Sequence, residues 1–182
     1  MLKTSCMEKT MIDLDNVQLP NFEYKSKQSA SIDEIALYID KLKKDLFDDQ
    51  WSLAIKKVIK SSLILYIRTM QKKLAPMGAH YRAVDIQKQH LEHVVPQSKI
   101  INAYLHDMIP AKMVLQMPLC MIDDADKHIL ENEWQTGATW KYPFKRYQLS
   151  GYNKTIKNVK GTVIDFGKWT IEDHFNMIGY RE

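Results

Sequence analysis

Glu92 and His93 stand side by side at the end of a short apolar run, in Leu91-Glu92-His93-Val94-Val95-Pro96-Gln97-Ser98. A carboxylate beside an imidazole offers an oxygen ligand for a cation and a group that exchanges a proton near neutral pH. Adjacent side chains on a strand point to opposite faces. One site can therefore use both only where the chain bends or leaves the sheet. Pro96 supplies such an exit, because its ring fixes φ and removes a donor. In that geometry Glu92 reaches a metal ion while His93 handles a proton, which is the chemistry of a metal-dependent nuclease. The same dipeptide also suits an ordinary strand end with two solvated polar residues.

A second segment adds to the first. Met117-Pro118-Leu119-Cys120-Met121-Ile122 reads as a short apolar strand, Asp123-Asp124-Ala125-Asp126 as an acidic turn, and Lys127-His128-Ile129-Leu130-Glu131-Asn132 as a helix start. The three aspartates suit an N-cap or a first helical turn. His128 and Asn132 fall one turn apart on the same helix face, where an imidazole and an amide oxygen can bind one ion together. The competing reading is a surface helix with an incidental polar pair. The combination of E-H-x-x-P, a connection, a strand and a helix carrying H-x-x-x-N is the stronger signal.

This pattern resembles the HNH, or ββα-metal, endonuclease superfamily. Glu92-His93-Val94-Val95-Pro96-Gln97-Ser98 is similar to the D-H-I-V-P-Q-S stretch in the HNH domain of RNA-guided nucleases. His128-x-x-x-Asn132 resembles the H-x-x-x-H on the metal-binding helix of colicin-type DNases. The resemblance covers roughly residues 84 to 135. It implies His93 as general base and Glu92, His128 and Asn132 as metal ligands. A carboxylate, imidazole and amide set favours one Mg²⁺ or Mn²⁺ ion, with Zn²⁺ left open. The implied reaction is hydrolysis of DNA phosphodiesters. The family's asparagine ahead of the metal helix has no counterpart in Val114-Leu115-Gln116-Met117-Pro118-Leu119. Gln116, a backbone carbonyl, His106 or Asn102 are the candidates to orient His93 in its place. Paired zinc knuckles are excluded, because the chain holds two cysteines, Cys6 and Cys120. Their separation and the reduced state of intracellular thiols argue against a disulfide.

The elements that must position these residues follow from periodicity. The expected fold class is α+β, with a ββα-metal nuclease core embedded in a mostly helical single domain. Residues 1–30 read as an N-terminal arm, 31–77 as a helical region, 78–135 as the HNH-like core, and 136–182 as an extension packed on that core. Ser31 and Glu34 form an S-x-x-E capping box, and Ile32, Ile35, Ala36, Ile39, Leu42 and Leu46 recur at helical spacing. A second helix, from about Gln50 to Leu74, carries an apolar face of Trp51, Ala54, Ile55, Val58, Ile59, Leu63, Tyr66, Ile67 and Met70. That face is read as core or as a homodimer interface. Pro76-Met77-Gly78 stops it. Its lysines and Arg68 are either a phosphate-binding face or a solvated one.

Arg82 and Lys127 are the candidate phosphate contacts, the first through its bidentate fork. His90 is placed outside the site because it should point away from His93. Residues 99–116 look helical as far as Pro110. The aromatic and basic tail, from Trp140 through Tyr147 to Lys160, suits either stacked bases or core packing with lysines at the surface. Thr170 and Asp173 mark a capped final helix.

Composition narrows the classes. The chain has 182 residues, enough for one domain with a real core, and is 45% hydrophobic. A formal charge of +4 and a pI near 8.9 suit a polyanion. DNA is expected over RNA, and no membrane partner. No run reaches the roughly 18 apolar residues of a membrane span. The first residues lack a signal peptide's apolar region, so the expected location is cytoplasmic. The alternative function is a non-catalytic nucleic-acid-binding module on a degenerate HNH core. A helical interaction protein, with the motif accidental, is the third reading.

Overall fold

The computed structural model describes residues 29–130 and 140–179 and is an α+β arrangement of helices around a four-stranded sheet. The expected N-terminal arm (apart from its last two residues), Cys6 and Asn132 lie outside the described residues. Helix α1 spans Ser29–Phe47 and α2 spans Leu53–Leu74. Because α1 begins at Ser29, Ser31 lies inside its first turn rather than ahead of it. Ile32, Ala36 and Ile39 form its buried stripe, at the three-to-four spacing that keeps one face inward. Ser52 caps α2 by accepting from the Ile55 amide. At the other end Ala75 turns extended before Pro76, as the residue ahead of a proline is driven to do.

The buried stripe on α2 is Leu63, Ile67 and Gln71. It is shorter than periodicity alone suggests: Trp51, Ile55 and Val58 are 41, 43 and 62% exposed. Among the described residues, the C-terminal half of the helix carries its fully buried positions.

A 3-10 turn over Pro76–Gly78 leads into β1 (Tyr81–Ala83), then β2 (Gln89–His93). Two helices follow, α3 (Gln97–Leu105) and α4 (Ala111–Leu115). Next come β3 (Leu119–Asp123), a 3-10 turn over Asp124–Asp126 and α5, described over Lys127–Leu130. The chain ends through α6 (Lys145–Leu149), β4 (Ile156–Asn158) and α7 (Ile171–Met177). The expected capping box opens α7: the Thr170 hydroxyl accepts from the Asp173 amide, and the Asp173 carboxylate accepts from the Thr170 amide.

The strand order is β2-β3-β1-β4. β2 and β3 are antiparallel, with His90 opposite Ile122, Glu92 opposite Cys120 and His93 opposite Leu119. β1 runs parallel to β3 and antiparallel to β4. Register assigns the faces, because partners in register share a face and neighbours along a strand alternate. Tyr81, Ala83, His90, Glu92, Cys120, Ile122 and Ile156 lie on one face. Arg82, Leu91, His93, Leu119, Met121 and Lys157 lie on the other.

The first face is packed by Leu130 of α5, Phe144, Tyr147 and Tyr152. The second is covered in part by Ala75 and Ala79 at the end of α2. A separate cluster joins α1 to α4 with Ile171 and Phe175 of α7. Trp140, Phe144, Tyr147 and Tyr152 are therefore core rather than platforms for bases, all at most 7% exposed.

Buried histidines tie α7 to the sheet. His174 is fully buried, with Nε2 2.8 Å from the Gln116 carbonyl and Nδ1 2.8 Å from the Tyr81 hydroxyl. A carbonyl only accepts, so Nε2 carries the hydrogen and Nδ1 takes the Tyr81 proton. Trp169 Nε1 donates to that same hydroxyl. His80 Nδ1 accepts from the Leu119 amide, and its ring meets His174 edge-on at 4.8 Å. Every polar atom this network uses has a partner, which is what makes its burial tolerable.

Candidate active site

β2 sends its two candidate residues to opposite faces. The strand runs through His93, so the bend expected from Pro96 comes after both side chains have been placed. His93 turns toward α2, and Glu92 turns toward α6.

His93 is 8% exposed, with Nε2 3.0 Å from the Gln71 side-chain oxygen. Gln71 is itself fully buried, and its amide nitrogen donates to the Val114 carbonyl at 2.7 Å. That bond assigns the amide's orientation and leaves only its oxygen for His93. His93 Nε2 must then be the donor, and the neutral ring keeps its lone pair on Nδ1. Burial, with the charges of Arg68 and Arg146, lowers the His93 pKa to about 4. At neutral pH the ring is an uncharged imidazole held in one tautomer. Gln71 therefore orients the candidate base, in place of Gln116, His106 or Asn102. The signal for it was present in the sequence: Leu63, Ile67 and Gln71 sit four apart, so an amide continues an apolar stripe and needs a buried partner.

On the other face, Arg146 Nη2 donates to Glu92 Oε1 and also to the His93 carbonyl, the latter at 2.8 Å. Arg146 is 2% exposed, so a buried guanidinium ties α6 to the end of β2. His90 joins Glu92 here, two residues along the strand. Its Nε2 lies 3.6 Å from Glu92 Oε2 and its Nδ1 lies 3.7 Å from Asp124 Oδ1. His90 does point away from His93, as expected, but that brings it to Glu92. Asp124 also accepts from Lys88 at 2.8 Å and from Lys127 at 3.1 Å. Those hydrogen bonds hold its carboxyl down to about 2. Lys127 thus spends its charge on Asp124. Asp123 accepts from the Gln87 and Ala125 amides and caps the turn as expected.

The remaining candidates are spread out. His128 is exposed on α5, and Arg82 is exposed on β1, on the face of His93. Asn132 lies outside the described residues. The residue types of Glu92 and His128 suit a hard divalent ion, but among the described residues, which leave out Asn132, the placements do not make a centre for one. Glu92 is held by Arg146, and no group of three or more His, Cys, Asp or Glu side chains among the described residues is arranged to hold a metal ion. His90 does not complete such a set either, since it presents different ring nitrogens to Glu92 and Asp124. No helix among the described residues is long and apolar enough to cross a membrane.

No family model, no curated protein and no solved structure matches this chain.

Proposed function

We propose that this chain is an HNH-type endonuclease that hydrolyses phosphodiester bonds of DNA, with His93 as general base. One observation carries the reading: a histidine at the end of β2, the first strand of an antiparallel pair followed by a helix, is locked by Gln71 as the Nε2–H tautomer. β2 and β3 pair antiparallel with α3 and α4 between them in the chain and α5 after them, an order that supports a ββα reading with a helical insertion. In this reading the Gln71 hydrogen bond stands in for the asparagine that the motif lacks.

The chain's own residues account for the proton step. His93 Nδ1 takes a proton from water, the hydroxide oxygen bonds to phosphorus, and the bond from phosphorus to the leaving 3′-oxygen breaks. That oxygen leaves as an alcohol after taking a proton from solvent. Gln71 keeps the ring from rotating and stabilises the imidazolium by continuing to accept from Nε2. A pKa near 4 makes the free ring a weak base. An arriving phosphate monoanion raises it toward the working pH, so proton uptake is coupled to substrate binding. Arg146 fixes the strand end from behind through the His93 carbonyl. No step is assigned to a metal, because the described residues do not assemble a site for one.

The ion pair of buried Arg146 with Glu92 favours a second reading, a nucleic-acid-binding module whose HNH core has lost catalysis. Glu92 in an ion pair with a buried arginine is a structural carboxylate in that case. The test incubates the protein with supercoiled plasmid in Mg²⁺, in Mn²⁺ and in EDTA, beside His93→Ala and Gln71→Leu variants. Nicking that needs His93 supports the nuclease, and metal dependence would require Glu92 to leave Arg146. If neither DNA nor RNA is cut under any of these conditions, the binding module takes its place.

A further inference from the structure

Arg82 of β1 and Lys157 of β4 are directly opposed across an antiparallel strand pair, both exposed. Directly opposed Cβ atoms lie roughly 5 Å apart, where two like charges destabilise the pair. Neither side chain is in an ion pair among the described residues. A hollow of about 590 Å³ opens over them, and Met77, Asp85, Val159 and Gly161 help to line it. Met77 is 85% exposed and Val159 43%. They give the hollow an apolar edge beside its two cations.

The sheet register relates this hollow to His93. Arg82 lies beside Met121, Met121 lies opposite Leu91, and His93 is two residues farther along β2 on that same face. Two strand spacings across and two residues along place Arg82 roughly 12 Å from His93, backbone to backbone. That is about three to four base steps of a duplex at 3.4 Å rise. An arginine fork and a lysine suit phosphate oxygens, and the apolar rim suits a sugar.

We infer that the Arg82–Lys157 pair is a seat for the phosphate backbone of a DNA strand lying over β1 and β4. The inference rests on the reading above that this chain acts on DNA. The anion removes the repulsion between the two cations, so binding and sheet stability are linked. Asp85 at the rim opposes binding. Lysines on α2 lie outside the hollow.

The experiment measures fluorescence anisotropy of a short labelled DNA duplex in EDTA, across a salt series, with circular dichroism to verify folding. Arg82→Gln and Lys157→Gln should each lower the negative slope of log K against log salt by about 0.9. Carried from 1 M to about 50 mM salt, that is roughly a 15-fold loss of affinity per contact. Asp85→Asn should strengthen binding, and Lys57→Gln with Lys60→Gln on α2 should leave it unchanged. Folded Arg82 and Lys157 variants that bind like the wild type overturn the inference. So does an equal loss from the α2 variants, and so does a wild type that does not bind the duplex. Plasmid cleavage is scored separately. Loss of binding in the variants without cleavage by the wild type keeps this seat and removes the catalytic reading; cleavage with unaltered variant binding does the reverse.

Discussion

Acid should unfold this protein through its histidines before its carboxylates titrate. His80, His93 and His174 are 4, 8 and 0% exposed. Burial is the largest cause lowering all three, and it takes His93 and His174 to about 4. The unfolded chain keeps a value near 6.5. Below pH 6.5 the unfolded state therefore binds more protons than the folded one. The stability these residues contribute is present above that pH and is lost as the pH falls toward 4. At pH 5, a folded value of about 4 against 6.5 removes roughly 2 kcal/mol per histidine, or about 4 kcal/mol for His93 and His174 together. A domain of this size has on the order of 5–15 kcal/mol to lose. Asp124 acts in a lower window. Its folded value is held down to about 2, so its contribution is present above the ordinary carboxylate range and fades only as pH falls through 2.

The assay is urea unfolding at about pH 7.5, 6 and 5, on the wild type and on His174→Gln. Glutamine can still donate to the Gln116 carbonyl and accept from Tyr81, but it does not titrate. The variant starts less stable, and between neutral pH and pH 5 it should lose about 2 kcal/mol less than the wild type. Parallel pH curves for the two proteins would refute the reasoning. So would an NMR titration placing His174 near the ordinary histidine value.

Other outcomes follow from single contacts. Gln71→Leu leaves the His93 Nε2–H without a partner, while the Val114 carbonyl keeps its backbone donors, and should lower stability by roughly 1–3 kcal/mol by denaturant unfolding; with His93 as the base, cleavage should fall with it, even where the protein is fully folded. Arg146→Met strands Glu92 and the His93 carbonyl, for a loss of about 3 kcal/mol that a second change, Glu92→Met, should partly restore. An unchanged melting point in the single variant contradicts that. Asn158 Oδ1 accepts from the Lys160 and Thr162 amides and closes the turn after β4. Asn158→Ala should cost about 1–3 kcal/mol and show as loss of amide protection at residues 160 and 162.

Much of the fold is legible in local pattern. The stripe Ile32-Ala36-Ile39 gives α1, the Thr170–Asp173 box gives the start of α7, and the Asp123 cap gives the turn after β3. These features need only neighbours within a turn. What local pattern does not hold is pairing. β1 inserts between β3 and β4, a parallel pairing set by the packing of Tyr81 against Phe144 and His174, residues far apart in the chain. The apolar face assigned to α2 divides for the same reason: Leu63 and Ile67 are core, while Trp51, Ile55 and Val58 have the same helical spacing and stay exposed.

The candidate site divides along the same line. That a carboxylate and an imidazole end β2 can be read from the chain. Which face each takes depends on where the strand stops, and it stops one residue too late to bring both side chains to one side. Alternation then decides the partners. Glu92 falls on the face of His90 and of Arg146, whose buried charge needs a carboxylate. His93 falls on the face of α2, where Gln71 interrupts an apolar stripe. In the sequence Arg146 is one cation in a basic tail, because nothing local distinguishes a buried arginine from a solvated one. Its burial follows from Tyr147 beside it, which anchors α6 in the core and carries the guanidinium inward. Opening the Arg146–Glu92 pair is therefore the step on which the two functional readings part. A nuclease that uses Glu92 as a ligand must exchange that buried pair for a cation, while a binding module keeps it closed. Glu92→Gln and the wild type together separate them: cleavage by the wild type that is lost in Glu92→Gln supports an open pair with Glu92 as ligand, whereas DNA binding by both proteins with cleavage by neither supports the closed pair.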